Sequence, residues 1–167
     1  MDDYALHAPL IGQQGSRAAL NTPVLVLDRE VLDRNIATMA ALAKARGVTL
    51  RPHAKTHKSV AIGRRQIAAG AVGLCCAKLG EAEALAEGGI AGLHITSPVV
   101  TPQAIARLVA LNAVSDGLSV AVDDGSNVGA IGRAASETGQ VLGVFIDLDP
   151  GIHRTGVASS EAAVALA

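Results

Sequence analysis

The feature that most constrains this chain is a rhythm of short apolar runs. TPVLVLD, VTLRPHA, AVGLCCA, GLHIT, GLSVAVD and VLGVFIDLD each have the length and Val/Leu/Ile content of a buried strand, and helical periodicity fills the gaps between them. Their centres fall near residues 25, 51, 74, 94, 120 and 144, giving repeats of about 26, 23, 20, 26 and 24 residues. That is the length of one strand-helix unit in a parallel α/β fold. Six such units are expected, with no evident sequence similarity among them. Both a (β/α)8 barrel and a doubly wound sheet fit the rhythm, and no GxGxxG follows any strand to favour the second.

Local signals set the boundaries. Asp28 can cap a helix in which Val31, Leu32, Ile36, Met39 and Leu42 or Ala43 share a face, and Gly47 ends it. Pro52 has no amide to give a ladder, so it belongs at the end of the second strand, which delivers Lys55 at its C-terminal end. A helix to about Gly70 follows. Another runs through Leu79, Ala82, Leu85 and Ala86 and is closed by Gly88 and Gly89. Thr101 and Pro102 form the cap and first position of a helix carrying Ile105, Leu108 and Val109, and a further helix runs through Val128 and Ile131. Residues 1–21, with Pro9, Gly12 and Gly15, read as an irregular arm, and residues 22–167 as the domain proper. The closing SSEAAVALA reads as a helix with a cap and no end. A barrel of about 250 residues would need more strands, so the expectation is an incomplete barrel.

Composition narrows the function classes. Charged residues are 17% of the chain and the net charge is −1, which offers no basic face for a polyanion and argues against a nucleic-acid partner. No run approaches the ~20 apolar residues of a membrane span, so a soluble, cytoplasmic protein is expected. The two cysteines, Cys75 and Cys76, are adjacent, which suits neither a disulfide framework nor spaced metal thiolates. On a strand they face opposite ways, and structural packing is the simpler reading.

In a barrel, catalytic groups gather at the C-terminal ends of the strands, where this chain places His53, Lys55, His57, Lys78, Ser97, Asp123, Asp124, Asp147, Asp149 and Arg154. A lysine there, enclosed and near cations such as Arg51, is a competent carbonyl nucleophile, which is the chemistry of a Schiff base. The plain alternative is that Lys55 and Lys58 cover the start of a helix with their stems. His53 and His57 stand four apart, yet Pro52 argues against a helix there, and no Glu follows His53 as in a zinc-protease helix. They orient the lysine, line its pocket, or are ordinary hydrogen-bonded histidines. Arg154 lies in the tight loop DLDPGIHRTG, where its fork could meet an anionic or aromatic cofactor atom or pair with Asp147 or Asp149. Helix capping is the simpler reading of Asp123 and Asp124.

TPVLVLD, RPHAKTHK, GLCCAKLGEAEAL and DLDPGIHRTGV, in that order, resemble the N-terminal half of the alanine-racemase-like, fold type III pyridoxal phosphate (PLP) enzymes. The likeness is to the branch of D-threonine aldolases, 3-hydroxy-D-aspartate aldolases and D-serine dehydratases, from about Thr22 to Val157. It implies a barrel domain followed by a C-terminal β domain, with Lys55 carrying PLP, Arg154 close to the cofactor ring, and His53 and His57 in the pocket. It also implies phosphate-binding loops beyond Ala167 and a divalent metal (Mn or Mg, or Zn for a dehydratase) whose ligands lie outside this chain. Some relatives have Gln where this chain has Ala77 and Asn-Glu in place of Ser97-Pro98. The expected activity is a lyase that breaks the Cα–Cβ bond of a D-3-hydroxy amino acid. D-serine dehydration and a truncated, non-catalytic PLP-binding protein are the alternatives. The expected partner is a small D-amino acid, with a homodimer as the assembly of the full-length enzyme.

Overall fold

Helix starts are where this sequence speaks most directly. Thr101 accepts a hydrogen bond from the Ala104 amide through its Oγ1, with Pro102 in the first helical position. Asp28 does the same for Val31 at 3.0 Å. Each satisfies an amide that the first turn would leave unpaired. The computed structural model describes residues 3–167, with side chains from residue 5 onward. Its packing divides into two units, one up to Arg34 and one from Asn35 to Ala167.

The first unit holds helix α1 (Asp3–His7), 3-10 turns at Ala8–Leu10 and Ser16–Ala19, and the beginning of α2 (Arg29–Ala45). The His7 ring accepts from the Asn21 amide at 3.1 Å. Between these, the expected strand TPVLVLD is not a strand: residues 24–28 have no ladder, and Leu25 is 101% exposed. An apolar run becomes a strand only when its amides and carbonyls are paired, and here they are not. The six expected units are reduced accordingly. In α2 only Ala43 is buried, while Met39 and Leu42 are exposed. Gly47 terminates the helix with φ +64°.

The second unit is a four-stranded parallel sheet in sequential order. Its strands are β1 (Cys75–Cys76), β2 (His94–Ile95), β3 (Ser119–Val122) and β4 (Gly143–Ile146). Helices α3 (Val60–Ala68), α4 (Leu79–Glu87), α5 (Pro102–Asn112), α6 (Gly125–Glu137) and α7 (Ser160–Leu166) accompany them. The expected second strand runs beside β1 without becoming a full strand. Leu50 and Pro52 accept from the Val72 and Cys75 amides at 2.9 and 2.8 Å, and His53 bridges Cys75 in parallel. Pro52 thus contributes its carbonyl to the pairing, although it has no amide to contribute.

Register aligns His53, Cys75, His94, Ser119 and Gly143 in one row across the sheet. Residues in one row share a face, and their immediate neighbours share the other. That second face is the core: Cys76, Ile95 and Val120 are fully buried with Leu74, Leu93 and Leu108, against Leu79, Ala82, Leu85, Ile105 and Ile131. Each fully buried leucine contributes about 1.5–3 kcal/mol by leaving water. The row itself is polar, and it points Cys75, His94 and Ser119 away from the helices. β4 is the edge of the sheet, with Phe145 58% exposed. No helix among the described residues is long and apolar enough to cross a membrane.

Candidate active site

Parallel strands bring all their C-terminal ends to one side, so the segments leaving them are neighbours whatever their separation in sequence. The first is a single 3-10 turn, Ala54–Thr56, between the paired stretch and α3. Its Ala54 is 1% exposed and anchors it, while Lys55 stands exposed. His53 caps the turn: its Nδ1 accepts from the Lys55 amide at 3.3 Å. The other ring nitrogen, Nε2, lies 3.3 Å from Thr96 Oγ1, just past β2. Burial lowers the pKa of His53 below the usual imidazole value, and Lys55 lowers it further, against the opposing pull of Glu81 and a hydrogen bond with Cys75. The ring is therefore neutral near pH 7. Lys55 forms no ion pair among the described residues.

His57 is placed differently. Its Nδ1 accepts from the Ser59 amide at 3.0 Å, just ahead of α3. Its Nε2 is buried, as is Gln66 Oε1, and neither atom has a partner in good hydrogen-bond geometry. Gln66 nonetheless raises the pKa of the ring, against the larger lowering by burial. The contacts of His57 are thus with α3 and the residue that caps it. Lys58, at φ +48°, pairs with Glu81 at 3.6 Å, and the other oxygen of Glu81 accepts from the Ala77 amide at 2.7 Å. Glu81 so ties the segment after β1 to the one leading into α3.

Arg154 sits in the loop that follows β4. Asp149 organises that loop: Oδ1 accepts from the amides of Gly151, Ile152 and His153 at 2.9, 2.8 and 3.0 Å, and Oδ2 pairs with His153 Nδ1 at 2.9 Å. These hydrogen bonds, the His153 amide foremost, hold the carboxyl below the usual carboxylate range. The base closes where Leu148 bridges Val157. Asp123, at the end of β3, accepts from the Gly156 amide at 3.0 Å. Arg154 is exposed and pairs with neither Asp147 nor Asp149 among the described residues.

Of the four residues expected at the site, the structure joins His53 and Lys55 directly, turns His57 toward α3, and puts Arg154 on a separate braced loop. Capping accounts for Asp124, which accepts from the Ser126 and Asn127 amides, but not for Asp123, whose partner is the Arg154 loop. Thr96 went unnoticed in the sequence because His53 lies 43 residues away, and Glu81 because its pairing with Lys58 joins two different strand ends, although its Ala77 partner is only four residues before it. The cysteines do face opposite ways: Cys76 is fully buried and Cys75 partly so.

Three likenesses bear on this arrangement. The chain is 42% identical over 149 residues to the 3-hydroxy-D-aspartate aldolase of Paracoccus denitrificans, across 89% of this chain and 38% of that protein. It is 34% identical to the D-threo-3-hydroxyaspartate dehydratase of a Delftia species, across 92% of this chain and 40% of that one. Its structure matches the crystal structure of D-threonine aldolase from Filomicrobium marinum with a TM-score of 0.87 and 39% identity, over 89% of this chain and 40% of that chain. All three are enzymes, and the chain spans about two fifths of their length. Residues 27–167 match the model of the alanine racemase N-terminal domain, and with the parallel strand-helix architecture this places the chain in that enzyme family.

Proposed function

We propose that this chain provides the lysine-bearing part of the active site of a PLP-dependent lyase that cleaves the Cα–Cβ bond of D-3-hydroxy amino acids, giving glycine and an aldehyde. The observation that carries the reading is the Lys55 turn: an exposed amine, free of ion pairs among the described residues, on a strand-end turn whose backbone is gripped by the His53 ring. The aldolases among the relatives support it.

When bound, PLP supplies the electron sink for the broken bond. The residues present suit such a group. Lys55 offers the amine that a carbonyl cofactor needs, and His53 fixes the turn from which that amine extends. Arg154 presents a guanidinium that pairs with no carboxylate among the described residues, on a loop braced by Asp149 from within and Asp123 from outside. Such a fork can hold an anionic or aromatic atom of the cofactor. His57 takes the supporting role of tying the turn to α3. No group of three His, Cys, Asp or Glu side chains among the described residues comes together as a metal site, so no step is given to any of them as a metal ligand.

The test uses the full-length protein. Borohydride reduction in the presence of PLP is expected to trap the cofactor on Lys55, and the Lys55→Ala variant to lose that adduct; an adduct retained in Lys55→Ala would remove the lysine assignment. With PLP, Mn²⁺ and D-threonine, acetaldehyde is the expected product. Pyruvate from D-serine without acetaldehyde would move the activity to dehydration, and neither product would exclude both.

A further inference from the structure

Two of the hydrogen bonds around His53 point to a single answer. The Thr96 hydroxyl has one proton and donates it to the Cys76 carbonyl at 3.0 Å. Toward His53 Nε2, at 3.3 Å, the same oxygen can only accept, so Nε2 must carry the ring proton. The other end of the ring agrees. Nδ1 accepts from the Lys55 amide at 3.3 Å, so it must be the bare nitrogen. Two independent partners, one beyond β2 and one on the lysine turn, require the same tautomer.

We propose that Thr96 is a positioning residue for Lys55: it fixes His53 as the neutral Nε2–H tautomer, the only form of the ring that can hold the Lys55 amide. In the Nδ1–H tautomer, or in the protonated ring, an N–H would face the Lys55 N–H and the cap on the turn would be lost. The groups facing the ring are Lys55 on its own turn, Cys75 on β1, Glu81 on α4 and His94 on β2. Among the side chains facing the ring, Thr96 is the one placed to select between the two neutral forms, because its proton is already committed to Cys76. The inference rests on the reading of Lys55 as the cofactor lysine. It gives Thr96 no contact with reacting atoms.

The test has a structural and a chemical readout, both on the full-length protein. Ring ¹⁵N shifts of labelled histidine should show His53 as the neutral Nε2–H tautomer at pH 7.5 before PLP is added. Thr96→Val should abolish that signature and slow borohydride-trapped PLP labelling of Lys55 by roughly threefold to tenfold, the loss of a typical hydrogen bond. Thr96→Ser, which restores the hydroxyl, should recover both. A wild-type Nδ1–H tautomer would overturn the proposal, as would a Thr96→Val protein in which either the ring signature or the labelling rate is unchanged. Should Thr96→Val not fold, the wild-type ring spectrum and Thr96→Ser still decide the matter. An adduct mapped to a different lysine would defeat the proposed function instead, leaving the ring spectrum to judge the Thr96–His53 contact.

Discussion

Asp123 Oδ2 accepts a hydrogen bond from the Gly156 amide at 3.0 Å, so the end of β3 holds the loop that carries Arg154. Gly156 has φ +98°, and a Cβ there would lie 2.5 Å from the Asp149 amide nitrogen, so a side chain at this position would clash with the loop's own backbone. Removing the carboxylate leaves that amide without its partner. Asp123→Ala is predicted to destabilise the protein by about 1–2 kcal/mol, and Asp123→Asn, which keeps an acceptor oxygen, by clearly less. Denaturant melts measure the loss, and faster amide exchange at Gly156 in the alanine variant would localise it. Equal effects of the two substitutions would contradict the role given to this oxygen.

The entries to β1 and β2 touch through backbone. A Cβ on Gly73, at φ +154°, would lie 1.8 Å from the Gly92 carbonyl oxygen, and the neighbours are main chain that cannot step aside. Gly139 is a useful contrast: it also has positive φ, at +66°, but open space around it. Gly73→Ala is expected to cost more than about 4 kcal/mol, enough to prevent soluble expression, because it forces two strands apart. Gly139→Ala should cost only the left-handed conformation, about 1–2 kcal/mol. Comparing soluble yield and melting of the two variants separates crowding from backbone strain.

Those two glycines also show what the sequence can and cannot reveal. Thr101-Pro102, Asp28, Gly47 and Gly70 mark boundaries through chemistry local to one turn, and the structure places caps and left-handed residues at these positions. The strand rhythm was legible for the same reason wherever the runs found ladders. TPVLVLD has the same composition yet no partner, and nothing within a run says whether another strand will lie beside it. The candidate site divides in the same way. Lys55 and His53 are two residues apart, and their association was open to a sequence reading. Thr96 lies 43 residues from His53 and Asp123 33 residues from Gly156, and only the parallel stacking of strand ends makes them neighbours.

The two cysteines should react very differently. Cys76 is fully buried among the core side chains, and burial, with Glu81 and Cys75 adding to it, pushes its thiol up to about 12. Cys75 lies on the polar face, partly exposed, its thiol raised by burial but drawn back by Arg51. Iodoacetamide on the native protein at pH 8 is predicted to label Cys75 slowly and Cys76 only after unfolding. Linkage gives a second consequence. The folded thiol of Cys76 keeps its proton up to about 12, whereas the unfolded one releases it near its ordinary value of 9.0. Its stabilisation is thus complete below pH 9 and is lost as pH rises from there toward 12. Cys76→Ala should flatten that alkaline limb in melts between pH 8 and 10.5; an unchanged slope would mean that Cys76 is not the group responsible.

The acid limb belongs to histidine. His53, His57 and His94 all have pKa values lowered from 6.5, in each case first by burial, with Lys55 adding to the effect at His53 and Arg51 and His53 at His94. A ring whose folded pKa is depressed is protonated more readily in the unfolded chain. The stability it contributes is present above pH 6.5 and is lost as pH falls through the folded pKa. The depressed carboxyls of Asp124 and Asp149 act in the same direction but only below about their ordinary value of 3.8, so the interval from pH 7 to 5 reports the imidazoles. Tm is therefore predicted to fall across that interval. His57→Asn can leave an oxygen to accept from the Ser59 amide while removing a titrating ring, so its Tm should fall less between pH 7 and 5 than that of the wild type. If the variant and the wild type lose Tm in parallel, His57 does not titrate with unfolding, and the slope must come from His53 and His94. Protonation of His53 would also release the Lys55 amide, so PLP labelling of Lys55 should weaken over the same pH range as the melting temperature.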